Sequence, residues 1–168
     1  MGLSVEDIDK LTGPLIGRPK SATFRTADVV GLDTLIHVAN GLSGALKADE
    51  QKEKFVLPAF LQKMQENNWL GSKSGQGFYK KVKGADGKCE ILSLDLDTLE
   101  YTPQKKTRFD SLELTKNIDD VRERFKILIK GKDKAGEFYR RSLAGIMAYA
   151  ANRIPEICDE LYRIDQGM

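Results

Sequence analysis

Three glycines fall within seven residues, Gly71, Gly75 and Gly77, in the stretch Trp69-Leu70-Gly71-Ser72-Lys73-Ser74-Gly75-Gln76-Gly77-Phe78-Tyr79-Lys80. Glycines so spaced allow backbone angles and close approaches that side chains forbid, and the chemistry they first suggest is a phosphate cradle. The order of elements argues against a dinucleotide loop, which needs a strand before the glycines and a helix after them. Here an amphipathic run from Pro58 to Asn68 comes first, and Gly77-Phe78-Tyr79-Lys80-Lys81-Val82 reads as a strand. The glycines are therefore expected to turn a helix into a strand.

Other reactive side chains are sparse. The chain has one histidine and two cysteines, Cys89 and Cys158, which lie far apart and form no Cys-x-x-Cys pair. This inventory gives no zinc or haem site, and it suits a reduced, cytoplasmic setting. His37 sits within Leu35-Ile36-His37-Val38-Ala39 and reads as a core or interface residue. Lys80, Lys81 and Lys83, and again Lys130, Lys132 and Lys134, could meet phosphates as point charges, but read as solvated surface. Of the 168 residues 40% are hydrophobic and 31% charged, an ordinary globular balance. Lysine plus arginine, 27, barely exceeds aspartate plus glutamate, 25, so there is no bulk electrostatic case for a nucleic-acid partner. No apolar run reaches the length of a membrane span, and the first residues lack the pattern of a signal peptide.

The elements that must position these residues follow from caps and periodicity. Ser4 with Asp7 three places on predicts the start of a short helix with Val5, Ile8 and Leu11 inward. Asp28 reads as a local cap or pairing residue. Leu35, Ile36, Val38, Ala39, Leu42 and Leu46 outline a helix apolar over more than half its circumference, expected to be central. Pro58 suits the first turn of the next helix, with Leu57, Leu61 and Met64 buried. Beyond the strand, Gly84-Ala85-Asp86-Gly87 is a turn sequence, and Cys89, Ile91, Leu94 and Leu96 alternate, so a β-hairpin is expected. Residues 97–115 are polar and read as a surface linker. Asn117 is expected to cap a helix ending at Gly131, with Val121, Phe125, Leu128 and Ile129 on its apolar face. From Asp133 a last helical segment places Phe138, Leu143, Ile146 and Met147 inward, with a kink near Asn152 before Pro155.

The helix with its Gly-Ser-Lys-Ser-Gly-Gln-Gly-Phe-Tyr turn, together with Gly17-Arg18-Pro19-Lys20-Ser21-Ala22-Thr23-Phe24 and Asp28-Val29-Val30-Gly31-Leu32-Asp33, resembles the C-terminal helical domain of the 3-hydroxyacyl-CoA dehydrogenases. The resemblance covers roughly Leu3 to Lys80, and a fainter match begins near Phe138. It implies a mainly α fold, a helical bundle of that domain type with one β-hairpin. Residues 1–82 would form a first copy of the domain, 83–116 the second hairpin strand and a linker, and 117–168 the helices opening a truncated second copy. The tail from Tyr162 to Met168 overlays Glu6 to Thr12, with Ile164-Asp165 on Ile8-Asp9. On this reading the chain begins inside the first helix of one copy and stops inside the equivalent helix of the next.

In that family a hydride passes between NAD and C3 of a 3-hydroxyacyl-CoA thioester, with a histidine, a glutamate and a serine supplied by a preceding Rossmann domain. The resemblance therefore implies that NAD belongs to the parent enzyme and is bound outside this chain. It places the domain in fatty-acid β-oxidation, with an enoyl-CoA hydratase as a fusion partner that some members carry. Its partners would be the upstream Rossmann domain of the same polypeptide, an acyl-CoA substrate and a second copy in a homo-oligomer. Lys20, Ser21 and Phe24 match the part of the domain that faces the substrate cleft, although Ser21-Ala22 replaces the usual Gly-Pro and one residue is inserted. Asn152, in Asn152-Arg153, matches a catalytic asparagine by repeat position, and also reads as a residue satisfying a carbonyl freed by the kink. A non-enzymatic helical dimerisation or acyl-CoA-binding module is the alternative reading.

Overall fold

The computed structural model describes residues 1–84 and 87–167, and Ala85 and Asp86 of the expected turn, like Met168 of the expected repeat, lie outside the described residues. The chain forms two compact units, residues 2–107 and residues 108–167, and the boundary falls within the stretch read as a linker.

The first unit opens with helix α1, Val5–Thr12, started by the expected capping box. Ser4 Oγ accepts the Asp7 N–H at 3.3 Å while Asp7 Oδ2 accepts the Ser4 N–H at 3.2 Å. Helices α2, Phe24–Val30, and α3, Leu32–Ala45, are joined by Gly31 alone, whose φ of 101° makes the sharp change of direction. Pro58 stands one step before helix α4, Ala59–Glu66, at its N-cap, and Leu61 and Met64 are buried as expected.

The expected hairpin is part of a larger sheet. Strands β1, Tyr79–Lys83, β2, Cys89–Leu94, and β3, Tyr101–Pro103, form an antiparallel sheet in that order, with Tyr79 opposite Ser93 and Leu94 opposite Tyr101. The third strand arises because Asp95 folds the polar stretch back on itself. Its Oδ1 accepts the N–H groups of Asp97 and Thr98 at 2.9 and 3.0 Å, and Leu99 takes a positive φ of 59°. The core of this unit gathers Val5, Leu32, Ile36, Leu61, Met64, Phe78 and Leu94, with Phe24, Trp69 and Tyr101 packed against it.

Helix α3 is not the central element that its composition suggests. Only Leu32 and Ile36 are buried, and Leu35, Val38 and Leu42 are 37%, 52% and 37% exposed. His37 is exposed too, so it is not a core histidine. Periodicity identifies an apolar face without saying whether this unit covers it.

The second unit holds α5, Asp110–Glu113, α6, Val121–Lys130, α7, Lys134–Asn152, and α8, Leu161–Gly167. The expected linker thus ends in a helix whose surroundings are buried, at Phe109, Leu112 and Thr115. Asp120, not Asn117, caps α6, accepting the Glu123 N–H at 2.9 Å, because Asn117 is held in a preceding turn closed by the Ile118 N–H on the Thr115 carbonyl. Gly131 ends that helix as expected, and Leu128 is buried, whereas Ile129 is 37% exposed. Asp133 caps α7 and also binds Ser111, tying the short helix to the long one. The long helix stops at Asn152 instead of kinking and continuing. Phe138 and Leu143 are half-buried, but Ile146 and Met147 are 52% and 66% exposed rather than inward. Among the described residues no helix is long and apolar enough to cross a membrane.

Candidate functional site

The glycine corner is built by short-range hydrogen bonds around one serine. Past α4 the chain reverses at Asn68, with φ 58°, and enters a single 3-10 turn, Ser72–Ser74. Ser74 Oγ accepts the Leu70 N–H at 2.8 Å and lies within bonding distance of the Gly71 and Gln76 carbonyls, at 3.2 and 3.0 Å. The sequence expectation of a helix-to-strand corner holds.

What fills the corner is Asp28. A Cβ on Gly71 would lie 2.3 Å from the Asp28 carbonyl oxygen, and one on Gly77 would lie 2.1 Å from Asp28 Oδ1. The buried carboxylate accepts the N–H groups of Phe78 at 2.8 Å and Tyr79 at 2.9 Å, so Asp28 pairs with a strand far along the chain and not locally. Burial raises its pKa, and the two N–H donors offset only part of that rise. The space over Gly71 and Gly77 is taken by protein, so these residues do not fit the pyrophosphate of a dinucleotide.

A second carboxylate, Asp9, fixes the start of α2. It accepts the N–H groups of Thr23, Phe24 and Arg25 at 3.0, 2.6 and 3.0 Å, and the Tyr79 hydroxyl at 2.8 Å. Burial, with help from the Asp9 hydrogen bond and charge, pushes the Tyr79 hydroxyl well above the usual phenol range, so it remains a donor. The Arg25 guanidinium lies over the Tyr79 ring, 4.7 Å from its centroid. Sequence reasoning missed Asp9 and Tyr79 because each finds its partner some 70 residues away.

The residues expected at the substrate cleft are only partly brought together. Lys20 is exposed, while Ser21 is half-buried and accepts the Thr26 hydroxyl at 2.8 Å. Phe24 is half-buried and packs against the core, on Phe78, with ring centroids 4.5 Å apart. Ala22 takes a positive φ of 50° where the family pattern would have glycine and proline. Asn152 belongs to the other unit, where it is the exposed last residue of α7. Lys80 lies 5.3 Å from the centre of the Tyr101 ring, and Lys81, Lys83, Lys130, Lys132 and Lys134 are exposed. Among the described residues no group of three or more His, Cys, Asp or Glu is placed to hold a metal ion.

An apolar groove of about 430 Å³ lies between α2 and α3. Ala27, Val30, Leu35, Val38, Leu42 and Phe55 form most of its walls. Val30 is 55% exposed and Val38 52%, so among the described residues this face is left partly uncovered.

With the fold in view, comparison with known proteins is direct. Residues 1–81 match the 3-hydroxyacyl-CoA dehydrogenase C-terminal domain. A Bacillus subtilis protein named a probable 3-hydroxyacyl-CoA dehydrogenase is 45% identical over 99% of this chain, which covers 20% of its length. A Rickettsia felis protein provisionally named a fatty acid oxidation complex trifunctional enzyme is 25% identical over 96% of the chain, covering 21% of its own length. A Mycobacterium tuberculosis 3-hydroxybutyryl-CoA dehydrogenase is 37% identical over 45% of the chain, and 25% of its length is covered. No solved structure matches. Residues 1–81 are a domain of the 3-hydroxyacyl-CoA dehydrogenase C-terminal type. The chain spans about a fifth of the length of the first two relatives, whose likeness runs through both units.

Proposed function

We propose that this chain is the part of an NAD-dependent 3-hydroxyacyl-CoA dehydrogenase of fatty-acid β-oxidation that closes the acyl-CoA cleft and carries the subunit contact. The supporting observation is the exposed apolar groove of α2 and α3, walled by Val30, Leu35, Val38 and Leu42. Such a face suits a neighbouring domain or a second copy in a homo-oligomer. The corner held by Asp28 and Asp9 keeps α2 at a fixed angle to the sheet, and so keeps this face in shape.

On this reading the hydride chemistry is done by an upstream Rossmann domain, which binds NAD and supplies the acid–base pair. Lys20, Ser21 and Phe24 border the cleft on this side, and Asn152 is the one residue whose repeat position matches a catalytic group. The isolated chain is inactive, since proton transfer by a placed side chain alone is worth roughly 10²–10⁴-fold. Incubating the chain with NADH and acetoacetyl-CoA tests this directly. No oxidation of NADH above background is expected, and turnover would overturn the assignment of the chemistry to another domain. Sedimentation of the longer polypeptide, with and without charged substitutions at Val30 and Val38, tests the contact role, which predicts dissociation in the variants.

A further inference from the structure

In the second unit a cavity of about 370 Å³ opens between α5 and the turn that joins α6 to α7. Leu114, just past α5, and Ile127 of α6 give it apolar walls. Leu114 is 70% exposed, so little of this unit covers it, while Ile127 is half-buried. A third side is formed by Ser111, Gly131 and Asp133, which lie against one another: a Cβ on Gly131 would stand 2.8 Å from Ser111 Cβ and 3.1 Å from Asp133 Oδ1.

The polar groups of that third side are satisfied within the protein. Asp133 Oδ1 accepts the Gly136 N–H and Oδ2 the Ser111 N–H, each at 2.9 Å, and the Ser111 hydroxyl donates to the same carboxylate. The other charged lining residues, Lys130, Lys132 and Asp110, are exposed, and none of them forms an ion pair among the described residues. Two ammonium groups thus stand against one carboxylate. The end of α6 would itself repel an anion, but Arg140 donates to the Ile129 carbonyl at 2.7 Å and to the Gly131 carbonyl at 2.6 Å, and its guanidinium offsets the partial negative charge of that helix end. The charges therefore favour an anion, and the walls an apolar body.

We propose that this cavity is a binding site for an amphiphilic monocarboxylate, a single carboxylate on a short alkyl body. The Lys130 and Lys132 ammonium groups would take the carboxylate oxygens as point charges, and Leu114 and Ile127 would cover the alkyl chain. Among the described residues no guanidinium lines the cavity to grip a phosphate through two parallel bonds, and the one excess positive charge matches a singly charged ligand. A bare carboxylate would leave the apolar walls unused, and an alcohol would leave the ammonium groups unmatched. The volume lies in the range of pockets that hold small organic ligands. The site lies wholly in the second unit and does not depend on the cleft and contact roles proposed for the first.

The test titrates the whole chain, labelled with ¹⁵N, with octanoate, and in parallel with acetate and with octan-1-ol. Octanoate should shift the amides of Leu114, Gly131 and Lys132 saturably and bind at least about tenfold more tightly than either comparison compound. Lys130→Gln combined with Lys132→Gln should weaken octanoate by about tenfold and leave octan-1-ol unchanged, a difference that a general disturbance of the fold would not give. Leu114→Asp, at a position too exposed to carry the core, should weaken both. Val29→Asp, at a 67% exposed valine of the first unit, should alter neither, which separates the site from adsorption on any apolar surface. Absence of saturable shifts, acetate or octan-1-ol binding as tightly as octanoate, equal effects of the double glutamine variant on octanoate and octan-1-ol, or equal losses in Leu114→Asp and Val29→Asp would each overturn the proposal.

Discussion

The carboxylate of Asp28 accepts the backbone N–H of Phe78 at 2.8 Å, across 50 residues of chain, and with the Tyr79 N–H it seals the place where helix, corner and sheet meet. Asp28→Ala leaves two N–H groups without a partner, one of them buried. Since an unsatisfied buried donor costs about 1–3 kcal/mol, a loss of about that size is expected, read as a lower urea midpoint for the first unit.

The corner glycines should separate by what stands over them. Gly77→Ala would drive a Cβ to 2.1 Å from Asp28 Oδ1 and 2.6 Å from the Gly71 Cα, and backbone cannot move aside cheaply. Gly75→Ala meets open space and bears only the strain of its positive φ, about 1–2 kcal/mol. Thermal unfolding should therefore show Gly77→Ala as the more damaging of the two.

Tyr79→Phe removes one donor from Asp9 and leaves the three backbone N–H groups in place. The expected cost is about 0.5–1.5 kcal/mol. Asp9→Ala uncaps α2 altogether and should cost more, by chemical denaturation of both variants.

Acid should act in opposite directions on two aspartates. Burial alone would raise Asp133, but hydrogen bonds from the Ser111 N–H, the Gly136 N–H and the Ser111 hydroxyl lower it below the ordinary 3.8. A carboxylate lowered on folding stabilises fully above the unfolded pKa and loses that contribution as pH falls through the folded value. Asp133→Asn should therefore be less stable at pH 7 by about 1–2 kcal/mol, with the gap closing below pH 3.8. Asp28 is raised on folding by burial, so protonation favours the folded state, and its contribution grows as pH falls toward 3.8. The gap between the native chain and Asp28→Asn should widen over that window. NMR-detected unfolding of each unit from pH 7 to pH 3 checks both signs.

The apolar face predicts association. Replacing Val30 and Val38, both more than half exposed, by aspartate should change stability by no more than about 0.5 kcal/mol. The same change should reduce any self-association seen by light scattering, and unchanged mass would count against the groove as a contact surface.

Much of the local structure was legible in the residues themselves. Ser4 with Asp7 marked the start of α1, Gly131 the end of α6, and the order of helix, glycines and strand identified the corner and the family. These are signals between residues a few positions apart, where a cap or a hydrogen-bonded turn acts without help from the rest of the chain. Tertiary structure decided the partners of Asp9 and Asp28, the third strand turned by Asp95, and the exposure of Leu35, Val38, Leu42 and Met147. A carboxylate cannot declare in sequence which distant N–H it will accept, and an apolar stripe cannot declare whether its own chain will cover it, because both depend on what the fold brings alongside.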